Sequence, residues 1–518
     1  MDNRNFLLKL LACIVSASAM SASLSARGKV PERPNILFAI SDDQSWLHTS
    51  TNGSKAVRTP AFDRVAAQGI LFRNAFAAAP QCSPDRAAIL TGRSIWQLEE
   101  AGTHASNFPA KFRTYPDILK EQGYRVGYTG KGWGPGNWKI NGRKTNPAGP
   151  AFNRHRTKKR PTPAISDIDY AANFEEFLDN GGADGDKPFC FWYGGKEPHR
   201  TYQKGSGLKA GKKPADVAVP PFLPDTPEIR SDILDYMLEI EWFDEHLGRM
   251  LKSLEKRGLL DNTLVVVTSD NGMPFPRAKA NLYEYGIHMP LAISWPKVIR
   301  THRAVDDMIG FVDFAPTFLE VAGIAPPGQM SGKSFLDILR SSEQGIVDDS
   351  RKFILAGRER HTHARPDNLG YPSRVIRTRD YLYVWNVKPD RWPAGDPTGS
   401  GEPEGYHDID PSPSKTFMLA NRETFGRLFA LACDKRPEEE LYDIAVDPGC
   451  LNNLAETAKF DKTKSALRKT LKDTLKRQGD PRMLGRGDIF ESYPRYSAMR
   501  PFPGFKKRGQ YNPKFQVK

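Results

Sequence analysis

Four short apolar runs, each stopping abruptly at polar residues, constrain the fold of this chain more than any other feature. Asn35–Ser41 leads into Asp42-Asp43, and Arg125–Gly130 leads into Lys131. Residues 188–193 lead through two glycines toward His199, and residues 264–269 lead into Asp270-Asn271. Apolar side chains on successive residues suit strands covered on both faces, as in a parallel sheet, because a strand with one wet face would alternate. Helical patterns separate these runs. Thr59-Pro60 opens one that Gly69 closes, matching an N-cap, a proline at the first helical position and a glycine past the end. Thr114 opens another, closed by Gly123, and a long one runs from about 228 to 257 before Gly258. The alternation predicts an α/β fold with helices on both faces of the sheet. Ligands in such sheets bind beyond the carboxyl ends of the strands. Asp42, Asp43, Lys131, His199, Asp270 and Asn271 are therefore expected to gather on one edge. Any one of them alone reads as a solvated loop residue; their shared placement reads as a site.

That edge has a definite chemistry. Asp42, Asp43, Asp270 and Asn271 offer only oxygen donors, which suit a hard cation such as calcium, whereas zinc prefers imidazole and thiolate. Three clustered carboxylates without a cation would repel one another and raise their pKa values. Between the first and second pairs lies Cys82-Ser83-Pro84-Asp85-Arg86, with Thr91-Gly92-Arg93 after it. A helix is expected over 85–90. Residue 82 then sits at a helix N-terminus, which favours anionic groups, with Arg86 one turn on.

Composition narrows the setting. A chain of 518 residues has room for a large core and more than one domain. Its net charge of +14 favours polyanionic partners. Arg4 and Lys9 flank an apolar stretch from Phe6 to Val15, followed by small residues to Ala26, so residues 1–26 read as a signal peptide and the mature protein as exported, periplasmic or secreted. Leu10-Leu11-Ala12-Cys13 offers a lipoprotein alternative, with little apolar sequence before the cysteine. The stretch is too short to span a bilayer, and no later segment approaches that length. Cys433 and Cys450 are close enough in sequence for a disulfide to be expected, while Cys190 reads as a buried thiol.

The motifs, taken in order, resemble those of the type I, formylglycine-dependent sulfatases of the alkaline-phosphatase-like superfamily, from about Pro34 to Leu454. The resemblance implies a large mixed, mostly parallel sheet flanked by helices over 33–345. It implies a smaller C-terminal α+β domain with an antiparallel sheet over 350–475, and a basic, aromatic tail over 476–518 packed on the main domain. Cys82 matches the cysteine that a maturase oxidises to formylglycine, the nucleophile. Asp42, Asp43, Asp270 and Asn271, with residue 82, match the ligands of one Ca2+. Arg86 matches the motif arginine and Lys131 the lysine that bridges nucleophile and sulfate. His199, in Glu197-Pro198-His199-Arg200, matches the proton donor, and Lys279 the lysine on the far side of the sulfate. Arg200, Tyr283, His361 and Arg374 are expected as further substrate contacts, and the basic run from Arg143 through Arg154 and Arg156 to Arg160 as a lip for a sulfated polymer. By this resemblance, one hydroxyl of the hydrated aldehyde attacks sulfur, His199 protonates the leaving atom, and the second hydroxyl expels sulfate.

Within the family, residues 270–276 and 219–227 look most like the heparan N-sulfatase branch. One departure stands out. A histidine usually follows two residues after the active-site lysine, and here Lys131-Gly132-Trp133 supplies an indole, which cannot act as a base. Either another histidine substitutes, with His104 and His48 the candidates, or deprotonation relies on the metal and the substrate, or the enzyme is damaged. The expected function is release of sulfate from a sulfated carbohydrate, without nucleic acid or a membrane span. Alternatives are an N-sulfoglucosamine sulfohydrolase, a phosphoesterase or phosphonate hydrolase of the same superfamily, and a non-catalytic binder of sulfated glycans.

Overall fold

The computed structural model describes residues 33–182, 187–398 and 405–497. The expected signal peptide and the end of the expected tail lie outside the described residues. The four apolar runs form β1 (Asn35–Ser41), β3 (Arg125–Gly130), β4 (Phe189–Gly194) and β5 (Thr263–Ser269). They lie side by side and parallel in the order β3-β4-β1-β5. The sheet continues through β6 (His288–Ser294), antiparallel to β5, to β2 (Ile70–Phe76) and β7 (Arg303–Val305), and β8 (Ile309–Gly310) pairs with β2 off this path. The sheet is therefore mixed and mostly parallel, as expected.

Successive side chains of β1 enter two separate layers, which explains its unbroken apolarity. Ile36, Phe38 and Ile40 pack in one cluster with α2 (Cys82–Thr91), α3 (Tyr115–Glu121) and α7 (Phe314–Val321). Leu37 and Ala39 pack in the other with α1 (Pro60–Ala67), α4 (Tyr170–Phe177) and the 30-residue α5 (Pro227–Lys256). Thr226 caps α5, its hydroxyl accepting from the Ile229 amide, and Pro227 fills the first position, which needs no N–H donor. Thr114 and Asp117 form a capping box on α3. Thr59 does not cap α1 as its type suggests; its hydroxyl is hydrogen-bonded to Asp63 and Ser50 instead.

A second sheet, antiparallel throughout, follows in the order β12-β11-β10-β9: β9 (Phe353–Arg358), β10 (Ser373–Thr378), β11 (Tyr381–Asn386) and β12 (Glu439–Asp443). The expected disulfide is corrected here. Cys433 and Cys450 are both free, buried thiols that pack in different hydrophobic clusters, the first against α5 and the second behind β10 and β11. Cys190 is a buried thiol in β4. No described helix is long and apolar enough to cross a membrane.

Candidate active site

Because β1, β3, β4 and β5 run parallel, their carboxyl ends open on one edge, and the polar residues that terminate them meet there. Close approach of β3 and β4 depends on glycine. The Lys131 amide donates to the Gly194 carbonyl at 2.7 Å, and a Cβ on either Gly130 or Gly194 would lie under 2 Å from facing backbone oxygen. Asp43 holds a left-handed backbone at φ 78°, a costly conformation for a non-glycine residue that functional sites tend to retain.

The helix carrying residue 82 starts earlier than expected, at Cys82 itself, with Gln81 as N-cap. The Cys82 thiol lies 3.4 Å from Asp42 Oδ1 and 3.9 Å from Asp43 Oδ1. Ligand atoms of Asp42, Asp43, Cys82 and Asp270 all fall within 4.8 Å of one another, and all four residues are buried. Arg86 donates from Nε to Asp270 at 2.7 Å and from Nη1 to the Lys131 and Gly132 carbonyls, so it ties α2 to the ends of β3 and β5. Lys131 Nζ contacts both Asp42 oxygens at 2.7 and 2.6 Å, and Lys279 Nζ lies 2.6 Å from Asp43 Oδ2. His199 Nδ1–H donates to the Arg200 carbonyl at 2.5 Å, which turns Nε2 to within 3.9 Å of Asp43.

The electrostatics follow from burial among opposed charges. Burial raises the Asp42 pKa, but Lys131, His199, Arg86 and Lys279 together outweigh it and hold the carboxyl well below its ordinary range. Burial pushes Asp270 up to about 6, against Arg86 and with help from Asp42. Burial, then Asp42, raises the Cys82 thiol well above its ordinary value, so an unmodified thiol here is a poor nucleophile. The donor set suits a hard divalent cation: three carboxylates, plus the Asn271 Oδ1, which is buried without a partner.

A family model described as Sulfatase matches residues 34–324, more than half of the chain. The chain belongs to the sulfatase family. It is 27% identical over 491 residues to an ulvan-active sulfatase of Formosa agariphila, covering 89% of this chain and 78% of that one. It is 28% identical over 506 residues to human N-sulphoglucosamine sulphohydrolase, covering 89% and 93%. A solved structure, BT4656 in complex with its substrate D-glucosamine-2-N,6-O-disulfate, matches with a TM-score of 0.62 at 23% identity, covering 87% of this chain and 99% of that one. The fold is thus that of the sulfatases.

Asp42, Asp43, Cys82, Arg86, Lys131, His199, Asp270, Asn271 and Lys279 all converge at this edge of the sulfatase sheet. Arg200 comes near but is spoken for: it forms a bidentate pair with Asp232 at 2.8 and 2.7 Å. Two expected sugar contacts are corrected. Arg374 is fully buried between Glu359 and Asp480, and Tyr283 is buried with its hydroxyl donated to Glu440. Both hold the molecule together rather than face a ligand. His361 is buried as well, edge-on to His104 at 4.7 Å and 3.5 Å from Asp408. Part of the basic lip is neutralised: Arg143 pairs with Asp117, Arg154 with Glu176 and Arg156 with Asp167, while Arg160 reaches the cavity beside the site.

Trp133 is buried, and its indole N–H donates to the Ser83 carbonyl at 3.0 Å. His48 is removed from the candidates, since its Nδ1 is engaged by the Tyr236 hydroxyl at 2.8 Å. His104 remains: the next residue, Ala105, donates its amide to Ser83 Oγ, and burial and then His361 keep the imidazole neutral. Asp410 was not legible in the sequence. It lies 3.1 Å from Lys279, from a proline-rich loop with no strand before it to advertise its place.

Proposed function

We propose that this sulfatase hydrolyses sulfate from a sulfated carbohydrate, with residue 82 converted to formylglycine and one Ca2+ held by Asp42, Asp43, Asp270 and Asn271. The observation that carries the reading is the Cys82 side chain 3.4 Å from Asp42, inside a buried cluster of three carboxylates flanked by two lysines. When present, the cation supplies positive charge against sulfuryl oxygens, and the modified residue supplies a hydroxyl nucleophile in place of the thiol. The chain's own residues do the rest. Lys131 and Lys279 attract the sulfuryl group from two sides and stabilise the charge it gathers. Arg86 fixes the first turn of α2 against Asp270 and so orients residue 82. His199, with Nδ1 fixed by a carbonyl, hands the proton on Nε2 to the departing oxygen or nitrogen. His104 takes the supporting role left vacant at Trp133.

The similarity to human N-sulphoglucosamine sulphohydrolase favours a glucosamine N-sulfate as one member of the substrate class, beside O-sulfates. Export through the N-terminal segment, with maturation by a formylglycine-generating enzyme, belongs to the same reading.

The test is co-expression with a maturase, followed by mass spectrometry of the peptide containing residue 82 and sulfate-release assays on a panel of N- and O-sulfated mono- and disaccharides. The expected result is conversion of Cys82 and release of sulfate, both abolished in Cys82→Ala. An unmodified thiol with tight glycan binding and no sulfate release would overturn the enzymatic reading.

A further inference from the structure

Beside the reacting centre lies a cavity of about 630 Å³, lined by Asp42, Lys131, His199, Lys196, Arg160 and Glu239 among others. Glu239 is the member that the chemistry above leaves unused. It projects from α5, whose buried acids otherwise all have protein partners. Asp232 binds Arg200 and Ser414; Asp235 accepts from the Gly205 and Gly207 amides; Asp244 accepts from the Ala61 and Phe62 amides. Glu239 is 3% exposed and has no hydrogen-bond or ion-pair partner among the described residues. Its neighbour at the cavity, Glu197, is by contrast held by the Tyr170 hydroxyl and the Ser166 amide.

A buried carboxyl without a partner costs stability, so a site that retains one has another use for it. We propose that Glu239 is a specificity-determining residue whose carboxyl, facing the cavity beside Lys131 and His199, hydrogen-bonds a ring hydroxyl of the sulfated sugar. The inference rests on the reading of this cavity as the sugar-sulfate site. Burial, then the charge of Glu197, pushes Glu239 well above the ordinary carboxylate range, and Arg200, the cation that opposes this, is already paired with Asp232. A neutral carboxyl offers one donor and an acceptor, which matches a hydroxyl, and adds no negative charge against a sulfated ligand. Lys196 and Arg160 supply positive charge to a cavity wall that also carries Asp167 and Glu197, so a further anion at position 239 would work against a sulfated ligand.

The matured full chain is assayed on the panel sugar it cleaves best and on 4-nitrophenyl sulfate, which has no ring hydroxyl. Glu239→Leu is expected to raise KM on the sugar about tenfold, with a smaller effect on kcat. The loss on the sugar is expected to exceed that on the aryl sulfate several-fold. Glu239→Gln, which keeps a donor and an acceptor, recovers most of the loss. The Tm of Glu239→Leu equals or exceeds that of the parent, because an unpartnered polar group has been removed. Equal losses on both substrates, an unchanged KM, or a Gln variant as impaired as Leu would each overturn the proposal. If the parent releases sulfate from nothing, the sulfatase reading fails on its own. Calorimetry of Cys82→Ser against Cys82→Ser/Glu239→Leu, with D-glucosamine-2-N,6-O-disulfate as probe, then decides on Glu239. Weaker binding by the double variant supports its role; equal affinity, or no binding to either protein, overturns it.

Discussion

Trp133, where the sequence resemblance leads one to expect a histidine, takes a structural role. Its indole N–H is committed to the Ser83 carbonyl, one residue past Cys82, and its ring packs edge-on against Phe108 at 5.1 Å. The tryptophan therefore braces the first turn of the helix that begins at residue 82. Restoring the smaller ring, Trp133→His, removes buried volume that the imidazole cannot refill. We expect a loss of about 3 kcal/mol, read as a lower Tm, with no gain in sulfate release. His104→Ala is expected to behave oppositely: kcat falls by about 10²-fold or more while conversion of Cys82, read by mass spectrometry, is unaffected.

At the scale of elements, what could be read from sequence depended on how local the cause is. β1 and β5 were legible because both faces of each are buried, so every residue carries the signal. The ends of four parallel strands were legible as a site for the same reason. Asp410 and Glu239 were not, because each owes its place to packing between segments far apart in the chain; on α5 alone Glu239 is one acid among several. The Cys433–Cys450 pairing failed because sequence proximity says nothing about which cluster a side chain enters. The join between the two sheets is likewise invisible in sequence. Glu284, in α6 (Glu284–Ile287), lies 2.5 Å from Arg377 of β10 and 3.0 Å from His288, all three buried. Burial raises the Glu284 pKa, but Arg377 and then His288 outweigh it and hold the carboxyl at about 2, against an ordinary 4.5. A folded pKa below the unfolded one contributes stability that is complete above about 4.5 and lost as pH falls through 2, amounting to about 3 kcal/mol. Glu284→Gln should lower the Tm at pH 7 and flatten its decline between pH 4.5 and 2. A variant whose Tm falls with acid as steeply as the parent's would mean that this pair does not hold the sheets together.

Across the whole molecule, the acidic cluster proposed to hold the cation is where distant parts of the chain are forced to agree. Asp42 and Asp43 end β1, Asp270 and Asn271 end β5, residue 82 opens α2, and Lys279 brings in Asp410 from the region of the second sheet. Like charges gathered from separate elements oppose folding unless something neutralises them. Lys131 on Asp42, Lys279 on Asp43 and Arg86 on Asp270 do so in part. A divalent cation that binds only the folded arrangement adds RT ln(1 + [L]/Kd), about 2.7 kcal/mol at a concentration one hundred times Kd. Calcium is therefore expected to raise the Tm of the EDTA-treated protein by several degrees, whether or not residue 82 is converted. Magnesium should do less, since it demands a tighter octahedral shell and dehydrates reluctantly. Asp43→Asn removes charge from the centre of the cluster, and should abolish the calcium-dependent rise in Tm together with sulfate release. Differential scanning fluorimetry across a calcium titration separates the outcomes. A Tm indifferent to calcium in the parent protein would mean that the lysines and Arg86 alone balance the carboxylates, and that this edge of the sheet folds as a set of ion pairs rather than around a metal.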